Sequence, residues 1–81
     1  MYSRTHIRIN TTKEATNFVS QLNSDGTADK YIIEDANGTQ RVNARSLLGV
    51  IYAMTEYCDE MYLVNMTNNG TYPIFVDNLR V

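Results

Sequence analysis

Residues 42–51 read Val-Asn-Ala-Arg-Ser-Leu-Leu-Gly-Val-Ile, a stretch in which a strand gives way to a helix. Ser46 stands at the junction, and the run Leu47, Leu48, Val50, Ile51, Met54 after it predicts a helix capped by the serine hydroxyl. Upstream, Lys30–Asp35 (KYIIED) is rich in strand formers, and Ala36-Asn37-Gly38-Thr39 carries the Asn-Gly pair favoured in tight hairpins. Gln40–Asn43 is then the short return strand. Further back, Thr5–Asn10 (THIRIN) alternates, with Ile7 and Ile9 on one face and His6, Arg8 and Asn10 on the other, which predicts a half-buried strand. Thr11-Thr12 offers an N-cap with Glu14 placed as in a capping box. Ala15, Phe18, Val19 and Leu22 follow at helical spacing, up to a stop near Asn23-Ser24-Asp25-Gly26.

Downstream of the opening stretch, Glu60–Met66 reads as a strand with Met61 and Leu63 inward and Val64 as a third candidate. Thr71 is the predicted cap of a last helix, with Pro73 in its first turn and Phe75 and Leu79 on one face. The β-branched content of residues 71–81 leaves a final strand as the alternative. The order β-α-β-β-α-β-α predicts an α+β open-faced sandwich: a four-stranded antiparallel sheet with helices on one face, in a single domain over residues 1–81.

Composition narrows the function. With 81 residues the chain has no room for a separate catalytic module. Seven Lys plus Arg against nine Asp plus Glu give a formal charge of −2, so a basic stripe for nucleic acid is not expected. Cys58 is the sole cysteine, which excludes an intrachain disulfide and a Cys-based zinc site. The first residues lack the apolar core of a signal peptide, and the longest apolar stretch, Leu47–Met54, is far short of a bilayer span. A cytoplasmic protein without a membrane partner is the expectation. Asn-x-Ser/Thr triplets at Asn10, Asn37, Asn65 and Asn69 are discounted as glycosylation sites on the same ground.

Little in the chain converges on catalysis, and no catalytic residue, metal or cofactor is expected. His6 is the only histidine and falls on the polar phase of its strand, as a solvated side chain would. The acidic pairs Glu34-Asp35 and Asp59-Glu60 point to opposite sides and read as solubilising charges. Cys58 reads as a small buried hydrophobe rather than a reactive thiol, having no cation near it in sequence. The six tyrosines mostly lack basic neighbours along the chain, so a base-stacking platform is not indicated.

The exception is the opening stretch. Free backbone N–H groups and the positive end of the helix dipole point at the Ser46 hydroxyl. Ser46 is therefore either a plain N-cap or a phosphorylation site beside Arg45. Leu47, Leu48, Val50 and Ile51 surround most of a short helix and cannot all face one core. Either some of them form an exposed docking patch with Arg45, or the last segment folds over them.

Residues 42–51 resemble the HPr family, the histidine-containing phosphocarriers of the bacterial phosphoenolpyruvate sugar phosphotransferase system. The family segment runs approximately V-N-[AL]-K-S-[IL]-[ML]-G-[VL]-M, and VNARSLLGVI follows it closely. Length and element order agree over most of the chain, and the resemblance implies the same sandwich. Family carriers hold G-[LI]-H-[AT]-R-P-A before their first helix; here Ile9-Asn10-Thr11-Thr12-Lys13-Glu14-Ala15 stands there, without histidine. In this the chain is similar to the catabolite-repression HPr-like proteins, which lack the histidine and keep a regulatory serine. The resemblance implies that Ser46 is that serine and that Leu47, Leu48 and Ile51 are the hydrophobic patch around it. It further implies a protein partner: a transcriptional regulator, a kinase or a phosphotransferase-system protein. The alternatives are a carrier using another acceptor, such as His6, and a structural module that associates with itself.

Overall fold

The computed structural model describes residues 4–24, 26, 29–67 and 71–81. Four strands, β1 (Arg4–Ile7), β2 (Tyr31–Glu34), β3 (Arg41–Asn43) and β4 (Met61–Asn65), form one antiparallel sheet in the order β1-β4-β2-β3. Two main helices, α1 (Thr12–Asn23) and α2 (Leu47–Glu56), accompany it. The α+β class and the four-stranded antiparallel sheet are as the sequence predicts.

Register decides which side chains meet the helices. Thr5 pairs with Leu63, Leu63 with Ile33 and Ile33 with Val42, so these four share one face. Ile7, Ile33 and Leu63 are fully buried there, in one cluster with Ala15, Phe18 and Leu22 of α1 and Val50 and Ala53 of α2. Burying each large side chain contributes about 1.5–3 kcal/mol, and this shared core is the main cohesive term. The opposite, helix-free face carries Arg4, His6, Ile32, Glu34, Arg41, Tyr62 and Val64. Val64 is buried but on this second face, because the two-residue period that turns Leu63 inward turns its neighbour outward.

The first strand is shorter than its alternation suggests. It stops at Ile7, opposite Met61, because β4 begins there and offers no further partner, while Ile9 still packs in the core. At the start of α1, the Thr11 hydroxyl accepts the Glu14 N–H at 3.1 Å, and Glu14 Oε1 accepts from the Thr11 hydroxyl and the Asn10 N–H, each at 3.2 Å. That is the reciprocal arrangement of a capping box, with the back-bond moved one residue upstream.

The acidic pair Glu34-Asp35 is not a pair of surface charges. Glu34 is buried and gripped by Arg4 Nε at 2.7 Å and Arg41 Nε at 3.4 Å. Asp35 builds the β2–β3 turn: its carboxylate accepts the Thr39 N–H (2.8 Å), the Thr39 hydroxyl (2.9 Å) and the Gln40 N–H (3.3 Å). Gly38 completes the turn at φ +71°, where a Cβ is disfavoured. Desolvation pushes the Asp35 pKa up, but the hydrogen bonds from Thr39, Gln40 and Gly38 together hold it below its ordinary value.

The last segment departs from the sequence reading. Ile74–Leu79 is a 3-10 helix preceded by Pro73, which cannot cap with its side chain, so Thr71 is not the cap. Arg80 then bridges Ile7, the Arg8 N–H donates to Leu79 O (2.9 Å) and the Val81 N–H donates to His6 O (3.0 Å). Helix and strand alternatives are thus each realised in part, as one tight helical stretch followed by a bridge along the outer edge of β1. Val76 is fully buried and Phe75 meets Phe18 edge-on at 6.0 Å, so packing against α1 fixes the segment rather than helix propensity.

Candidate functional site

The β3–α2 junction is built by Asn43. Its Oδ1 accepts the Arg45 N–H at 2.9 Å and its carbonyl accepts the Ser46 N–H at 3.1 Å, which turns the chain tightly into α2. The first turn of the helix then lies almost on the strand. A Cβ at Gly49 would stand 2.9 Å from the Asn43 carbonyl oxygen, so only glycine allows this approach. Ser46 is extended (φ −101°, ψ 122°), and its Oγ accepts the Gly49 N–H at 3.2 Å, the N-cap geometry that its position predicts. The residue is half-buried, with its hydroxyl at the positive end of α2.

Around Ser46 the predicted companions separate into two groups. Leu48 is 81% exposed and Leu47 is 36% exposed, while Ile51 is half-buried and packs against the core. Tyr52, one helical turn from Leu48, is also exposed and extends the apolar surface. Sequence reasoning passed over Tyr52, although its i, i+4 spacing from Leu48 was the available signal. The last segment does not cover these side chains; it packs on α1 and β1 instead.

Arg45 points the other way. Its guanidinium donates to Leu22 O at 2.6 Å and to Asp29 O at 2.9 and 3.2 Å, and lies 5.2 Å from the Tyr31 ring centroid. Its charge therefore ties the ends of α1 and β2 to the junction. The remaining cation–tyrosine contacts are also products of the fold: Arg4 sits 4.1 Å from the Tyr62 centroid and Arg80 6.0 Å from that of Tyr72. Sequence neighbours did not reveal them, since each pair joins residues from different segments.

His6 is on the polar phase of β1 as expected, but it is not freely solvated. It stacks on Tyr62 with centroids 4.6 Å apart, and its Nε2 lies 2.6 Å from Asp59 O, which fixes a proton on that nitrogen. Cys58 corrects another expectation. It is exposed, at φ +54°, with its thiol 3.8 Å from Thr55 O. The helix ends at Glu56 with Tyr57 as its C-cap, and the reversal that follows turns this side chain outward instead of into the core.

Among the Asn-x-Ser/Thr triplets, Asn65 is fully buried. Its Nδ2 donates to Thr71 O (2.8 Å) and Asp29 Oδ2 (3.0 Å), and its Oδ1 accepts the Thr67 N–H (2.8 Å). Asn69 lies outside the described residues. Among the described residues no helix is long and apolar enough to cross a membrane, and no cluster of three or more His, Cys, Asp or Glu is arranged to hold a metal ion. Compared with protein families, with curated proteins and with solved structures, the chain finds no match in any of the three.

Proposed function

We propose that the chain is a non-catalytic regulatory or interaction protein of the HPr-like kind, related to the phosphoenolpyruvate sugar phosphotransferase system. It works in the cytoplasm by docking α2 on a protein partner, and phosphorylation of Ser46 switches that docking. The observation that carries this reading is the 81% exposed Leu48 in the first turn of a helix capped by a half-buried serine hydroxyl. The motif VNARSLLGVI supports it by its likeness to the family segment.

The charge logic follows from the site. A phosphate at Ser46 adds about −1.5 to −2 charge where backbone N–H groups and the helix dipole favour an anion. Arg45 is held by the carbonyls of Leu22 and Asp29. The phosphate is thus left to an outside cation, and the switch recruits a basic partner beside Leu48 and Tyr52 rather than repelling an acidic one. Exposed Leu48 and Tyr52 also suit a second copy of the chain, which light scattering over a concentration range distinguishes by a concentration-dependent mass.

The test is labelling by an HPr-type serine kinase with ATP. Wild type is expected to take up one phosphoryl group and Ser46→Ala none, with both proteins folded by circular dichroism. Equal labelling of the two, or no labelling of either, overturns the switch.

A further inference from the structure

At the corner of the sheet where β2 begins and β3 ends lies a hollow of about 470 Å³, whose lining does not include Ser46. Its size falls in the range of small-molecule sites, and its walls combine apolar surface with a few convergent polar groups. Ile32, Val42 and Met66 supply apolar lining; Lys30, Arg41 and Arg45 supply charge.

The charge distribution gives the hollow a preference. Among the described residues, three Lys and Arg (Lys30, Arg41, Arg45) line it against a single acid, Asp29, in a chain of formal charge −2. Asp29 directs Oδ2 to the Asn65 amide at 3.0 Å. Glu34, at the far end of β2, takes both Arg41 at 3.4 Å and Arg4 at 2.7 Å, so two guanidiniums share one carboxylate and it does not fully cancel the charge that Arg41 brings to the hollow. Arg45 is fixed by Leu22 O and Asp29 O, which holds its charge in the wall without a conformational search.

We propose that this hollow binds a small organic anion: a carboxylate or phosphate monoester carried on a flat apolar body. The oxyanion lies between Lys30 and Arg41, which offer charge-assisted hydrogen bonds, and the body covers Ile32 and Met66. This site is independent of the docking role of α2.

The experiment is a titration of the folded 15N-labelled chain with phenyl phosphate, benzoate, inorganic phosphate and benzyl alcohol, read by amide chemical shifts. Phenyl phosphate, benzoate or both are expected to give saturable shifts at residues 30–32, 41–43 and 66, and the preferred one identifies the anionic group. Inorganic phosphate lacks the body and benzyl alcohol lacks the charge, so each is expected to bind at least about tenfold more weakly. Lys30→Gln, an exposed position, is expected to weaken binding about tenfold with the unfolding temperature unchanged. Arg41→Gln is the second variant, checked for folding because it also releases Glu34. The proposal is overturned by an absence of saturable shifts at millimolar ligand, by unchanged affinity in Lys30→Gln, or by inorganic phosphate binding as well as phenyl phosphate.

Discussion

Replacing Gly49 by alanine sets two effects of opposite sign against each other. Gly49 is in the first turns of α2, where helix propensity alone predicts that Gly→Ala stabilises by about 1 kcal/mol. The structure predicts the reverse. The new Cβ would stand 2.9 Å from the Asn43 carbonyl oxygen and 3.4 Å from the Val42 Cβ, and the first of these is backbone that cannot swing aside. Overpacking of this kind costs about 1–3 kcal/mol. The same carbonyl accepts the Ser46 N–H at 3.1 Å, so pushing α2 off β3 also weakens a hydrogen bond worth about 0.5–1.5 kcal/mol. The net expectation is a loss of about 1–3 kcal/mol. Urea unfolding followed by circular dichroism measures it, and at a slope of about 1–2 kcal/mol/M the midpoint falls by roughly 1 M. Looser packing of α2 on the sheet would also appear as faster exchange of the Val50 amide, which donates to Ser46 O at 2.9 Å. An unchanged or raised midpoint refutes the close docking of α2 on β3, and with it the account of how Ser46 is presented.

Other perturbations test other parts of the structure. Cys58→Gly relieves a side chain at φ +54° and is expected to raise stability by about 1 kcal/mol in the same urea assay, whereas a buried cysteine would have made it destabilising. Glu34→Gln leaves Arg4 and Arg41 without their shared carboxylate and is expected to cost about 2 kcal/mol, read from thermal or urea unfolding; a neutral result contradicts its structural role. The folded-state pKa of Asp35 lies below its ordinary 3.8, so the unfolded chain takes up this proton first as pH falls. Its stabilisation is therefore complete above the ordinary value and is lost as pH drops below about 3.8 toward the folded value. An acid titration of stability is expected to show that decline, and Asp35→Asn to remove part of its slope.

The sheet, α1 and α2 were legible in the sequence because each carries a local signal that packing reinforces. Ile7 and Ile9 alternate with polar residues, Thr11 and Glu14 cap each other, and Ser46 precedes an apolar run. What escaped notice depends on residues far apart in the chain. Glu34 reads as a surface acid until Arg4 and Arg41 arrive from neighbouring strands, and Arg45 reads as a companion of Ser46 until the carbonyls of Leu22 and Asp29 claim its guanidinium. The final segment carries mixed propensity, and contacts to Phe18 and Ile7 decide its form. Cys58 reads as a small buried hydrophobe, but it falls beyond the end of α2 in a residue of positive φ, where the chain reverses and exposes it.

The central claim is that Ser46 is the modified residue of a docking helix, and tandem mass spectrometry of the protein isolated from the cells that make it tests this most directly. The account predicts a phosphoryl group on the peptide containing Arg45-Ser46-Leu47, assigned to Ser46 and lost in Ser46→Ala. A phosphoryl group carried by His6 instead, or a Ser46 unmodified under every growth condition, would contradict it.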